Sequence, residues 1–108
     1  MDDPLEIAPT ELAGRLRTGD RLVLIDVREP FEYDICRIEG ANLVPLAELP
    51  GRLEEIRAAG AVVCYCHRGV RSLEAAAWLR AAGVAGARSL AGGIDRWATD
   101  VDSRVPRY

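Results

Sequence analysis

Two kinds of apolar pattern alternate along this chain. Leu22-Val23-Leu24-Ile25 and Ala61-Val62-Val63-Cys64-Tyr65 are short, continuous apolar runs. Runs of this length and β-branched content predict buried strands of a parallel sheet, covered on both faces. Leu5-Glu6-Ile7 predicts a short edge strand, Asn42-Leu43-Val44 another strand, and Ala87 to Leu90 the last one. Between them the pattern is helical. Leu12 and Leu16 recur at i, i+4 after Pro9, which suits a first helical turn. Phe31 to Ile35 predicts a short helix behind Pro30. Leu46, Leu49, Leu53 and Ile56 share one helical face, but Pro50 interrupts it, so the spacing predicts a turn and then a helix from near Pro50, ended by Ala59-Gly60. Ser72 to Arg80 predicts an Ala-rich helix with Ser72 as its N-cap and Gly83 past its end. Ile94 to Ala98 predicts a last short helix. Strands alternating with helices imply an α/β fold: a mostly parallel five-stranded sheet with helices on both faces.

The junction between the strand ending at Tyr65 and the helix after it carries the chemistry. Cys66-His67-Arg68-Gly69-Val70-Arg71-Ser72 forms a tight turn from strand to helix. Such a turn aims backbone N–H groups and the positive end of a helix dipole at one point. A thiol there is acidified, because amides and nearby cations stabilise the thiolate. Arg71 and Arg68 are the cations at hand, and the same amide cradle suits an anion attached to Cys66, such as a persulfide. Asp26 ends its own strand on the equivalent side, where the working loops of open α/β sheets gather.

The loop resembles that of the rhodanese family of single-cysteine sulfurtransferases. Cys66, Gly69, Arg71 and Ser72 stand in the spacing C-x-x-G-x-R-S. Further segments follow the family order: Asp26-Val27-Arg28-Glu29, Phe31-Glu32-Tyr33, Ile38-Glu39-Gly40-Ala41, and Leu90-Ala91-Gly92-Gly93-Ile94 with Trp97. Arg37 and Glu39 replace a histidine and a proline of the pattern. The resemblance implies a rhodanese-like fold and a Cys66 persulfide that takes sulfur from thiosulfate or a persulfide donor. It implies substrate-binding roles for Arg71, Arg68, His67, Gly69, Val70 and Ser72, and a supporting ion pair of Asp26 with Arg28. Cell-cycle-type dual-specificity phosphatases resemble the same architecture, but their loop holds five residues between cysteine and arginine. Here there are four, a smaller ring that fits sulfur rather than a tetrahedral phosphate. The tail Asp102 to Tyr108 resembles the end of rhodanese domains fused behind ubiquitin-activating-like enzymes of molybdopterin and thiamine biosynthesis. That implies a protein sulfur donor or a ubiquitin-like acceptor.

Several residues keep two readings. Arg71 serves as anion stabiliser or pairs with a carboxylate such as Glu74 or Asp26. His67 tunes charge and contacts a donor, or moves a proton. Arg68 faces solvent or an anionic donor. Cys64 is a buried structural thiol or a resolving cysteine, although a C-x-C bridge on a strand is strained. Cys36 packs or serves as a redox partner. Trp78 and Trp97 read as packing residues.

Composition narrows the classes. The 108 residues predict one domain spanning residues 1–108. Apolar residues make up 49% and charged residues 29%, as in ordinary globular domains. A net charge of −3 gives no general attraction to nucleic acid or anionic membrane. No run approaches the roughly 18 apolar residues of a membrane span, and no signal peptide is recognisable. Three cysteines make no disulfide framework and fit a reducing cytoplasm. Zinc-ligand spacing and phosphate-loop glycines are missing, so no metal or cofactor is expected.

Overall fold

The computed structural model describes residues 4–108. Its sheet has five strands, all parallel: β1 (Glu6–Ile7), β2 (Val23–Asp26), β3 (Asn42–Leu43), β4 (Val62–Tyr65) and β5 (Arg88–Leu90). Their spatial order is β1-β5-β4-β2-β3. The two continuous apolar runs, β2 and β4, lie next to each other in the interior, with Val23 opposite Val62 and Asp26 opposite Tyr65. The two-residue strands β1 and β3 close the edges.

Pleating divides each central strand between two cores. Val23, Ile25, Val62 and Cys64 pack on one face with Ile56, Ala75 and Leu79. Leu24, Val63 and Tyr65 pack on the other with Leu12, Ile94 and Trp97. The helices are therefore α1 (Pro9–Arg17) and α5 (Gly93–Asp100) on one side, and α3 (Leu53–Ala59) and α4 (Val70–Ala81) on the other; α2 (Pro30–Ile35) follows β2. Trp97 is buried and Trp78 is partly exposed.

Three sequence expectations need correction. The segment around Pro50 forms two 3-10 turns, Leu46–Glu48 and Pro50–Arg52, and the α-helix starts only at Leu53. α4 begins at Val70, two residues before Ser72, and its N-cap is Gly69. β2 is displaced by a residue, ending on Asp26 rather than Ile25, while the other four strands lie within their expected ranges, each a residue shorter. Among the described residues no helix is long and apolar enough to cross a membrane.

Candidate active site

Asp26, Tyr65 and Leu90 end three adjacent strands at the same edge of the sheet, and Cys66 is the first residue beyond β4. The chain turns through Gly69, whose φ of 98° is a conformation that glycine adopts without steric cost. A Cβ there would stand 3.1 Å from the Gly92 amide nitrogen.

Helix α4 is capped in an unusual way. Its first-turn N–H groups have no helical acceptor, and an N-cap side chain commonly receives one of them. Gly69 has no side chain to offer, and the Cys66 sulfur takes that place. The Ser72 N–H lies 3.4 Å from Sγ and the Gly69 N–H 3.1 Å from it. The Ser72 hydroxyl is also 3.4 Å from Sγ, and 2.7 Å from the Ser89 hydroxyl behind it. Ser72 is thus not the cap that its residue type suggests; it holds the sulfur with both its amide and its hydroxyl.

Burial pushes the Cys66 thiol up. The Ser72 hydroxyl and the amides of Ser72, Gly69 and Arg68 outweigh it, and the net shift is downward, toward thiolate. Cys64 is the control. It faces the same core, is as fully buried, and lacks those donors. Burial and the neighbouring Cys66 charge push its thiol up to about 12. Cys36, Cys64 and Cys66 are all free thiols.

The loop is held from outside by α5. Ile94 N–H donates to the Cys66 carbonyl at 2.9 Å and Asp95 N–H to the His67 carbonyl at 3.0 Å. A Cβ on Gly93, at φ 64°, would stand 2.4 Å from the His67 carbonyl oxygen and 2.6 Å from that of Cys66. The Gly92-Gly93 pair of the last motif lets this helix start against the loop.

Arg71 forks onto Glu32 of α2, with Nη1–Oε1 2.7 Å and Nη2–Oε2 3.0 Å. Its carboxylate partner is therefore neither Glu74 nor Asp26. Glu32 also accepts the Glu29 N–H at 3.1 Å and the Tyr108 hydroxyl at 2.7 Å. The Arg71 hydrogen bonds, against the cost of burial and with the other donors, bring its pKa down to about 2. Asp26 and Arg28 form a wholly buried pair, Nη2–Oδ2 2.6 Å and Nε–Oδ1 2.8 Å. Arg28 also donates to the Cys36 carbonyl at 2.6 Å and the Tyr108 hydroxyl at 2.8 Å. The His67 ring stacks on Tyr108. Arg68 is exposed, and Val70 is 77% exposed. Arg37, in the position of the family histidine, lies over the Tyr33 ring at 4.3 Å.

The structure thus brings Gly69 and Ser72 together on the Cys66 sulfur, ties Arg71 of the same loop to Glu32, and pairs Asp26 with Arg28 at the end of the neighbouring strand. Glu32, Ser89 and Tyr108 complete the arrangement and were not among the expected site residues. Glu32 carried a signal, since it lies in the matched Phe31-Glu32-Tyr33 segment. Tyr108 lies in the tail whose family likeness carries no sign of a place at the site, and Ser89 carries no signal at all. Among the described residues no group of three or more His, Cys, Asp or Glu is placed to hold a metal. The arrangement suits nucleophilic attack by a thiolate and then storage of a small anion on the same sulfur.

Known proteins resemble the chain in sequence and in fold. The family model for the rhodanese-like domain matches residues 8–100. The chain is 42% identical over 107 residues to a probable adenylyltransferase/sulfurtransferase, MoeZ, of Mycobacterium tuberculosis, a match covering 94% of the chain and 26% of the relative. The chain therefore spans about a quarter of that relative's length. It is 37% identical to a sulfurtransferase of Allochromatium vinosum over 86% of the chain and 87% of the relative. Among solved structures, a human single-domain sulfurtransferase superposes with a TM-score of 0.80 at 28% identity, over 91% of this chain and 98% of that one.

Proposed function

The chain belongs to the rhodanese-like domain family, and from that premise we propose that it is a sulfurtransferase carrying sulfane sulfur on Cys66. The observation that carries the reading is the sulfur serving as acceptor for the Gly69 and Ser72 N–H groups at the start of α4. This environment helps twice. It ionises Cys66 for attack, and it makes Cys66 a good leaving group when sulfur departs.

In the first half-reaction the Cys66 thiolate attacks the outer sulfur of thiosulfate. The S–S bond of the donor breaks, sulfite leaves with the electron pair, and Cys66 becomes a persulfide anion. A persulfide donor reacts in the same way and leaves as a thiolate. In the second half an acceptor nucleophile attacks the outer sulfur and the Cys66 thiolate departs. Charge balances in both halves, and ping-pong kinetics follow. Cys66 is 1% exposed, so a slender terminal sulfur suits the approach better than a phosphate ester. Gly69 and Ser72 hold the stored anion, exposed Arg68 meets the donor at a rim that Val70 lines, Arg71 and His67 border the approach, and Asp26 with Arg28 anchors the loop base.

A second reading makes the acceptor a protein: the outer sulfur of the Cys66 persulfide attacks the acyl-adenylate at the C-terminus of a small ubiquitin-like carrier, AMP leaves, and two equivalents of an external thiol reduce the resulting acyl disulfide to the carrier thiocarboxylate and the Cys66 thiolate. The 42% identity to an adenylyltransferase/sulfurtransferase supports it. Discharge of the loaded chain by an adenylated carrier, at a rate exceeding discharge by cyanide, favours this acceptor.

Intact-protein mass after incubation with thiosulfate, and separately with a persulfide donor, tests the reading. The native chain is expected to gain one sulfur, to lose it to cyanide, and to gain none as Cys66→Ala. No gain from either donor overturns it.

A further inference from the structure

Beyond α5 the chain returns to the Cys66 loop. The Asp102 N–H donates to the Trp97 carbonyl at 3.0 Å, Val105 packs on the α1/α5 side of the core, and Arg107 forks onto Asp95 at 2.9 and 3.1 Å. These contacts deliver Tyr108 to the loop. Its ring lies flat on the His67 imidazole, with centroids 3.9 Å apart and planes 10° from parallel. His67 Nε2 is buried there without a hydrogen-bond partner. The Tyr108 hydroxyl receives Arg28 Nη1 at 2.8 Å and donates to Glu32 Oε2 at 2.7 Å. Burial pushes the Tyr108 phenol up to about 12, so it keeps the proton that it gives to Glu32.

The loop offers a donor three nitrogen-bearing side chains: His67, Arg68 and Arg71. Tyr108 acts on two of them. It covers His67 directly. It acts on Arg71 through Glu32, because the hydroxyl fixes the carboxylate that occupies the Arg71 fork. A bidentate carboxylate cancels most of the field that a guanidinium projects outward. Arg68 is left exposed, so the mouth of the site is less cationic than its sequence.

We propose that Tyr108 is a specificity-determining residue of the Cys66 site, one that disfavours small free anions such as thiosulfate and favours a persulfide carried on a thiol. The proposal rests on the sulfur-transfer reading for its substrates, but its physical content is a charge preference at Cys66.

Alkylation separates the two. Iodoacetate and iodoacetamide are of similar size, react with the same thiolate, and differ in charge. Their rates at Cys66, mapped by peptide mass, are compared in the native chain, Tyr108→Phe and Tyr108→Ala. The iodoacetate-to-iodoacetamide ratio is expected to rise about fivefold in Tyr108→Ala, the size of effect one partly screened charge gives. It is expected to rise less in Tyr108→Phe, which keeps the stack and loses the hydroxyl. The thiosulfate KM falls in the same order while kcat holds. An unchanged or lowered ratio overturns the proposal. Equal acceleration by both reagents also overturns it, since that marks a steric cover, and so does a chain whose Cys66 reacts with neither reagent in any form. If Tyr108→Ala does not fold, Tyr108→Phe decides alone by the same ratio. Alkylation needs only a thiolate, so failure to load sulfur does not alter this result.

Discussion

Two cysteines, two residues apart, show how much a few donors do. Cys64 and Cys66 lie on the same core face at 0% and 1% exposure. Burial alone makes a thiol weaker, as it does for Cys64. At Cys66 one hydroxyl and three amides reverse the sign. The hydroxyl belongs to Ser72, and it is the one donor a mutation removes cleanly. Ser72→Ala should therefore raise the Cys66 pKa, because a hydrogen bond to the charged form is lost. Thiolate absorbance against pH, or the pH profile of iodoacetamide alkylation, measures it. The reactive form is the deprotonated one, so the native rate is lost as pH falls through the depressed pKa. The variant loses it at higher pH. An unmoved profile would leave the amides as the sole cause of the acidity.

Glu32 joins α2 to α4, and its interactions form between elements far apart in sequence. Its folded pKa of about 2 lies below the ordinary 4.5. A group depressed in this way stabilises the fold above its unfolded value, and that contribution is lost as pH falls through the folded one. The native chain should lose stability between about pH 4.5 and 2. Glu32→Gln should be less stable at neutral pH and flatter in that window, with the partly exposed Arg71 limiting the difference through solvent screening. Denaturant midpoints measured across the range test it; parallel curves for both chains would remove Glu32 from the acid response. The elements themselves were largely legible, because a continuous apolar run and an i, i+4 spacing are local signals. The start of α4 was not. The rule for N-caps looks for a side-chain oxygen, and here the acceptor is a sulfur three residues before Gly69's own amide finds it. A carboxylate partner for Arg71 was legible, but not which one, for a similar reason: Glu32 is 39 residues away, and nothing local distinguishes it from Glu74. The tail was legible as a family likeness but not as a wall of the site, since stacking on His67 leaves no periodic trace.

At the scale of the molecule, the buried Asp26–Arg28 pair is the junction on which these contacts converge. Arg28 reaches Asp26 at the end of β2, the carbonyl of Cys36 after α2, and Tyr108 beyond α5. Its guanidinium also lies 5.5 Å from the centre of the Tyr65 ring at the end of β4. Both partners are 0% exposed, so each charge is tolerated only because of the other. Removing one partner of such a pair strands a buried charge and costs about 3–5 kcal/mol, whereas replacing both with apolar groups of similar volume costs far less. Asp26→Asn should therefore remove a large share of a stability that in domains of this size is about 5–15 kcal/mol. The double variant Asp26→Leu with Arg28→Met should recover much of it. It should nonetheless leave Tyr108 without its Arg28 donor and so shift the iodoacetate-to-iodoacetamide ratio toward that of Tyr108→Phe. Urea midpoints and alkylation ratios on the same samples separate the two roles. If the double variant regains stability and keeps the native ratio, Arg28 holds the fold without holding the tail, and the link from the sheet to the mouth of the site runs through Glu32 alone.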